Sequence, residues 1–383
     1  MFLVEEGYNN HTCTRFHESG SRDALPPSFP ERCFMSEINR RRFLRLLTGV
    51  LGSAASTYLL GCQGESKLAE KRGAADKLAP AADTPAFTPT QAVTQTSVPG
   101  ETGAATATSQ PTMALADLAV ARNGEPEVIT RKALAALGGM ERFVKSGDDV
   151  IIKPNICVAY HSYEYAATTN PWVVGALVKM ALEAGARRVR VMDYPFGGTA
   201  EQAYRVSGIA NQVKKAGGRM VTMANLKYVN TKIPQGQDLK VCKIYQDVLD
   251  ADVLINVPIA KHHELARLTL AMKNMMGVIL SREMMHINLG QRLADLNSRV
   301  RSHLVVVDAV RMLMDHGPSG GNLNDVRLAN TVIATPDIVA ADTYAASLFG
   351  LQPRDLAYIQ AGAAMGLGTK DLSRLKIEEI NLG

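Results

Sequence analysis

The sequence predicts an α/β fold: a mostly parallel, doubly wound sheet with helices on both faces, preceded by a disordered signal and linker region. Three observations predict it. From about residue 114 onward, short runs rich in Val, Ile and Leu alternate with stretches of helical periodicity. The polar residues that stand out fall at the ends of those runs, where ligands bind in such sheets. Residues 62–113 are rich in Ala, Thr, Pro, Ser and Gln and have few large apolar side chains, so they cannot bury a core.

The elements follow in order. "LADLAVARN" reads as a strand, and a helix is expected over about 125–143. "DDVIIKPN" is a buried-type strand. The next helix spans 171–184, with Thr169 or Asn170 as its cap and Pro171 in its first turn. "RRVRVMDYP" is a strand, 199–215 a helix, and "GRMVTMAN" a strand. Later strands are "DVLINVP", "HLVVVDAV", "LANTVIATP" and "LKIEEINL", with helices at 264–279, 288–300, 337–349 and 355–364. Helices between successive strands imply right-handed crossovers, which bring the strand ends to one edge.

The first 113 residues carry address signals. "NRRRFLR" at 39–45 holds a twin arginine, Arg40 and Arg41, followed by a modestly apolar stretch that ends in "LLGC". This resembles a twin-arginine export signal with a lipobox, over 35–61, cleaved so that Cys62 becomes lipidated. The chain is then expected on the extracytoplasmic face of the membrane, anchored to the lipid surface through Cys62, with 62–113 as a flexible tether about 40 Å in r.m.s. reach. Met35 looks like a natural start, so 1–34 reads as a non-native or disordered extension. The folded α/β domain is 114–383.

Composition excludes other classes. The net charge is +5, mild and spread out, with no basic stripe interleaved with aromatics, so no nucleic-acid partner is expected. The five cysteines, Cys13, Cys33, Cys62, Cys157 and Cys242, form no C-x-x-C pair. No iron–sulfur cluster is expected from this chain alone. Cys157 and Cys242 are expected as two buried thiols.

The candidate site gathers at strand ends: Lys153 and Asn155 after "VII", Asp193 after "VRVM", Asn256 after "VLI" and Asp308 after "LVVV". Residues 253–280, "VLINVPIAKHHELARLTLAMKNMMGVIL", are densest. On a helix from Glu264, Leu265, Leu268, Met272, Met275, Met276 and Ile279 make a core stripe, so the methionines are packing and not a metal site. Thr269 and Lys273 would sit one turn apart beside that stripe. His263 would lie near the helix start, where the macrodipole keeps it neutral and fit to act as a base or metal ligand. His262 reads as a surface histidine; His286 divides evenly between cleft and surface. Lys153, Lys261 and Lys273, if close, lower one another's pKa unless an anion or an aspartate relieves them. Thr169 is a cap, and capping leaves other amides free for an anion. "HGPSGGN" at 316–322 matches no phosphate-loop pattern and reads as a lid or tight turn.

The ordered series "KPN", "TTNP", Asp193, "NVPIAKHH…T…KNMMG", Asp308 with "GPSGG", and "TPDIVAADTYAA" resembles the domain of unknown function 362 family, over about 114 to the C-terminus. The family pattern N-x-P-K-x-K-x-H, then T and K-N-x-x-G, is matched by Asn256, Pro258, Lys261, His263, Thr269, Lys273, Asn274 and Gly277. Ile259 replaces the first lysine. Asp315 stands near a family glutamate, and Asp337 and Asp342 match the late D-x-x-A-x-D. The cysteines of the ferredoxin-type domain found in some members are missing here. The resemblance fixes positions and implies no particular reaction.

The function expected is that of an exported, lipid-anchored enzyme acting on a small anionic molecule by Lys/His acid–base or metal-assisted chemistry, isomerase- or oxidoreductase-like. His263 would be the acid/base, with Lys153, Lys261 and Lys273 holding the anion or polarising a carbonyl. Asn155, Thr169, Asn256, Thr269, Asn274, Asp193 and Asp308 form the expected substrate-binding set: Asn155, Asn256 and Asn274 would orient the substrate, and Asp193 or Asp308 would tune a lysine or bind a metal. The cofactor stays unassigned, a divalent metal being one alternative. An electron-transfer or membrane-protein partner also stays open. The other class is a non-catalytic lipoprotein that binds an anion or metal for such a partner.

Overall fold

The computed structural model describes residues 114–383. The expected extension, export signal, tether and lipidated Cys62 lie outside the described residues.

Strand β1 (Leu118–Arg122) is followed by helix α1 (Pro126–Ala136), β2 (Asp149–Pro154), α2 (Pro171–Glu183) and β3 (Arg188–Val191). Then come α3 (Ala200–Val206), α4 (Ile209–Lys215), the short β4 (Arg219–Met220), and a hairpin of β5 (Tyr228–Lys232) and β6 (Val241–Tyr245). A short α5 (Gln246–Leu249) leads to β7 (Val253–Val257), β8 (Ile259–His263), β9 (Arg267–Thr269) and α6 (Ala271–Asn274). The chain closes with α7 (Leu289–Arg299), β10 (Leu304–Leu313), β11 (Val326–Thr335), α8 (Ile338–Ser347), α9 (Ala357–Ala364) and β12 (Ile377–Asn381).

The main sheet runs β12-β1-β11-β10-β7-β2-β3-β4, with β8 joined to β10 and β9 to β8. Its centre is parallel: β10 with β7, β7 with β2, β2 with β3, and β3 with β4. β11 is antiparallel to both β1 and β10. Alternate residues of the central strands enter two apolar clusters. Val150 and Ile152 pack with α1, α2 and α4, whereas Ile151 packs with the side of α7, α8 and α9. Both faces are thus covered, which is why these strands read as continuous apolar runs. Among the described residues no helix is long and apolar enough to cross a membrane.

Several elements differ from the sequence reading. The helix expected over 199–215 is two, broken at Gly208, whose φ of 79° is left-handed. The expected strand "GRMVTMAN" pairs over only Arg219–Met220. The β5–β6 hairpin went unread. The largest correction falls on 264–279, which is not one helix. The chain runs from β7 past Pro258 into β8, turns at Arg267, whose φ is 62°, returns as β9, and forms only the single turn α6 before a 3₁₀ segment at Met275–Val278. "IAKHH" runs alongside β10, with Ile259 and Lys261 in register with Asp308 and Leu313, and its free edge takes Arg267–Thr269 as a partner strand, which overrides the helical periodicity there. Cys157 and Cys242 are buried free thiols, as expected.

Candidate active site

The strand ends converge as the fold class demands. Lys153 of β2 is in register with Asn256 of β7, and Asp193 follows just beyond β3. Strand alternation on β8 turns Lys261 and His263 to one face and His262 to the other. A cleft of about 520 Å³ opens there, lined among others by Lys153, Asn155, Asp193, Lys261, His263, Thr269, Lys273 and Asn274.

One side of the floor is a closed polar network. Lys153 Nζ makes an ion pair with Asp193 at 2.7 Å and donates to Pro154 O and Asn274 Oδ1. Asp193 Oδ2 accepts from the Ile156 amide at 2.6 Å. Asn274 is the hub: its Oδ1 also accepts from Asn155, and its Nδ2 donates to Lys153 O and Asn256 Oδ1. Gly277 lets the 3₁₀ segment after α6 approach this pair, since a Cβ there would collide with Asp193 Oδ1 and Lys153 Nζ. Lys261 Nζ donates to Asn155 Oδ1 at 3.0 Å, Ala167 O at 2.7 Å and Pro318 O at 2.8 Å, which uses all of its protons. The glycine-rich turn after β10 therefore packs its Pro318 carbonyl onto a site lysine.

The other side is unsatisfied. Lys273 is buried and makes no hydrogen bond or ion pair to any described residue. Burial, then the charges of Lys261, Arg282 and Lys153, pushes its amine down to about 7. The buried Thr269 Oγ1 also has no partner among the described residues. His263 Nδ1 accepts from the amides of Leu265 and Ala266 at 3.1 and 3.2 Å. Desolvation, then the charges of Lys273 and Lys261, pushes His263 down to about 3. It is neutral, as expected, but for these reasons and not through a helix macrodipole. With Nδ1 accepting, its ring proton is on Nε2.

Three predicted substrate-binding residues do not line the cleft. Thr169 accepts from the Asn155 amide and donates to Val257 O, holding two loops together. Asn256 donates to Ala271 O and accepts from Asn274. Asp308 accepts from the amides of Asn170 and Val310, and burial pushes it up to about 6. Their polar atoms are spent on positioning the floor. His262 keeps 30% of its side chain exposed, and its Nδ1 accepts from the Gly317 amide at 3.1 Å. His286 lines the cleft. Asp337 caps α8. Asp342 accepts from the amides of Ala271 and Met272, fixing the start of the turn that carries Lys273.

The sequence reading missed Arg282 and Tyr194, both in the cleft, and weighed Cys157 only for pairing. Arg282 stacks over the Tyr194 ring at 4.7 Å and donates to Tyr194 O. Tyr194 follows Asp193 directly, so the strand-end rule would have reached it. Nothing in the local pattern marks Arg282. Among the described residues, no three His, Cys, Asp or Glu side chains gather where they could hold one metal ion.

Fold and site together define an α/β protein whose polar cleft sits at the carboxyl edge of its sheet. The chain belongs to the family described as Domain of unknown function (DUF362), whose model matches residues 150–347. The thylakoid-associated protein sll1697 of Synechocystis sp. is 26% identical over 246 residues, covering 62% of this chain and 74% of that protein. Among solved structures, the lactate racemase apoprotein of Thermoanaerobacterium thermosaccharolyticum aligns at 12% identity and a TM-score of 0.40, over 60% of this chain and 56% of the racemase. A Thermotoga maritima protein aligns at 12% identity and a TM-score of 0.33, over 60% of each chain.

Proposed function

We propose that the cleft binds a small carboxylate and moves a proton at the carbon beside it, with Lys273 as the acid/base. One observation carries this reading: Lys273 is a buried amine without a partner among the described residues, in a cleft whose other two lysines are already engaged. An amine that titrates near 7 is matched to proton transfer at neutral pH. The positive floor formed with Lys153, Lys261 and Arg282 draws the carboxylate in. Thr269 Oγ1 and the remaining N–H of His263 supply hydrogen bonds for the negative charge that develops.

The experiment is deuterium exchange followed by NMR, across 2-hydroxy and 2-amino carboxylates. Exchange should rise through pH 7 and fall at least about a hundredfold in Lys273→Met. A carboxylate that binds without exchanging would favour the non-catalytic lipoprotein; no carboxylate binding at all would overturn the reading. Export and anchoring through Cys62 complete the proposal. Cys62→Ala should move the protein from the membrane to the soluble fraction, and its retention on membranes would refute the anchor.

A further inference from the structure

The cleft is larger than a carboxylate head group alone needs, and its exposed lining includes apolar side chains. At about 520 Å³ it falls among sites that hold ligands of drug size. Ile156 and Met276 are buried in its wall. Phe196 and Leu265 also line it, and they are 59% and 69% exposed. Leu265 sits on the turn between β8 and β9, and that turn is built by His263 Nδ1 accepting from the amides of Leu265 and Ala266. Single exposed apolar residues are ordinary, but Phe196 and Leu265 line the same opening and continue the buried apolar wall of Ile156 and Met276. Charge is graded along the same path. The floor is cationic, whereas Glu264 and Glu283, both exposed, line the cleft as well.

We infer that the anion taken by the cleft is amphipathic: a monocarboxylate whose head lies on the cationic floor and whose apolar tail runs past Met276 toward Leu265 and Phe196. This rests on the carboxylate reading above and adds the class of substrate. Glu264, next to Leu265, opposes a second carboxylate at the tail end, so a single head group is selected and its orientation fixed.

Titration calorimetry of the full chain with acetate, butyrate, hexanoate and octanoate tests this. Affinity should rise with length, by up to about fourfold for each methylene fully withdrawn from water. Octanedioate should bind more weakly than octanoate. Phe196→Ser and Leu265→Ser should each reduce the ratio of octanoate to acetate affinity. Leu226→Ser, at a residue 99% exposed and outside the cleft lining, should keep that ratio. Acetate binding with no dependence on length would overturn the amphipathic substrate while leaving the carboxylate reading in place. A steep length dependence unchanged in both Phe196→Ser and Leu265→Ser would overturn the assigned path of the tail, as would octanedioate binding as well as octanoate. Failure of every alkanoate to bind would overturn both proposals.

Discussion

The two sides of the cleft floor hold the same kind of residue under opposite conditions. Lys153 and Lys273 are both buried lysines within reach of one ligand. Lys153 has a carboxylate, a carbonyl and an amide oxygen around its ammonium. Lys273 has none of these among the described residues. A buried charge that is paired is part of the structure; one that is unpaired costs stability and is retained where it serves chemistry. The residue type therefore says little by itself, and the partner says most.

The comparison breaks most severely on the Lys153 side. Asp193→Asn leaves an uncompensated ammonium in the interior and should lower unfolding stability by about 3–5 kcal/mol in urea denaturation. Gly277→Ala disturbs the same pair through its methyl group and should cost about 1–3 kcal/mol.

On the Lys273 side the sign reverses. The folded pKa, about 7, lies below the unfolded value of 10.5, so the unfolded chain binds more protons between them. Stability from this group is complete above 10.5 and is lost as pH falls toward 7. Lys273→Met should remove that dependence and raise stability at pH 7 by about 2–4 kcal/mol, measured as denaturation midpoints from pH 7 to 10.

His263 gives a smaller, separate window. Its folded pKa of about 3 lies below the usual 6.5, so its contribution is complete above 6.5 and is lost as pH falls toward 3. At pH 5 that loss is about 2 kcal/mol, and it should disappear in a neutral His263→Gln variant. The smallest effect belongs to His262, on the opposite face of the same strand. His262→Ala loses one hydrogen bond to the Gly317 amide, about 1 kcal/mol, and should leave carboxylate binding intact.

The α/β class, the parallel centre of the sheet and the edge that carries the cleft were legible, because buried parallel strands leave continuous apolar runs and end at the ligand side. Lys153, Asn155, Asp193, Lys261, His263, Thr269, Lys273 and Asn274 were all found and do share one cleft. Thr169, Asn256 and Asp308 looked the same in sequence, yet they serve the backbone. The difference is a hydrogen-bond partner supplied by a distant segment, as when Asp308 meets the Asn170 amide.

By itself the sequence determined which residue types reach the strand ends, since that follows from local periodicity and chain direction. Only the tertiary structure decided which of them are spent. Residues 264–269 open the stretch of helical spacing over 264–279, yet Arg267–Thr269 fold as the return strand of a hairpin because β8 offers a strand edge beside them. That pairing turns His263 inward and spends its Nδ1 on the Leu265 and Ala266 amides. It leaves Lys273 on a single helical turn with no counter-charge among the described residues. Partners such as these come from segments far apart in the chain, and no local pattern contains them.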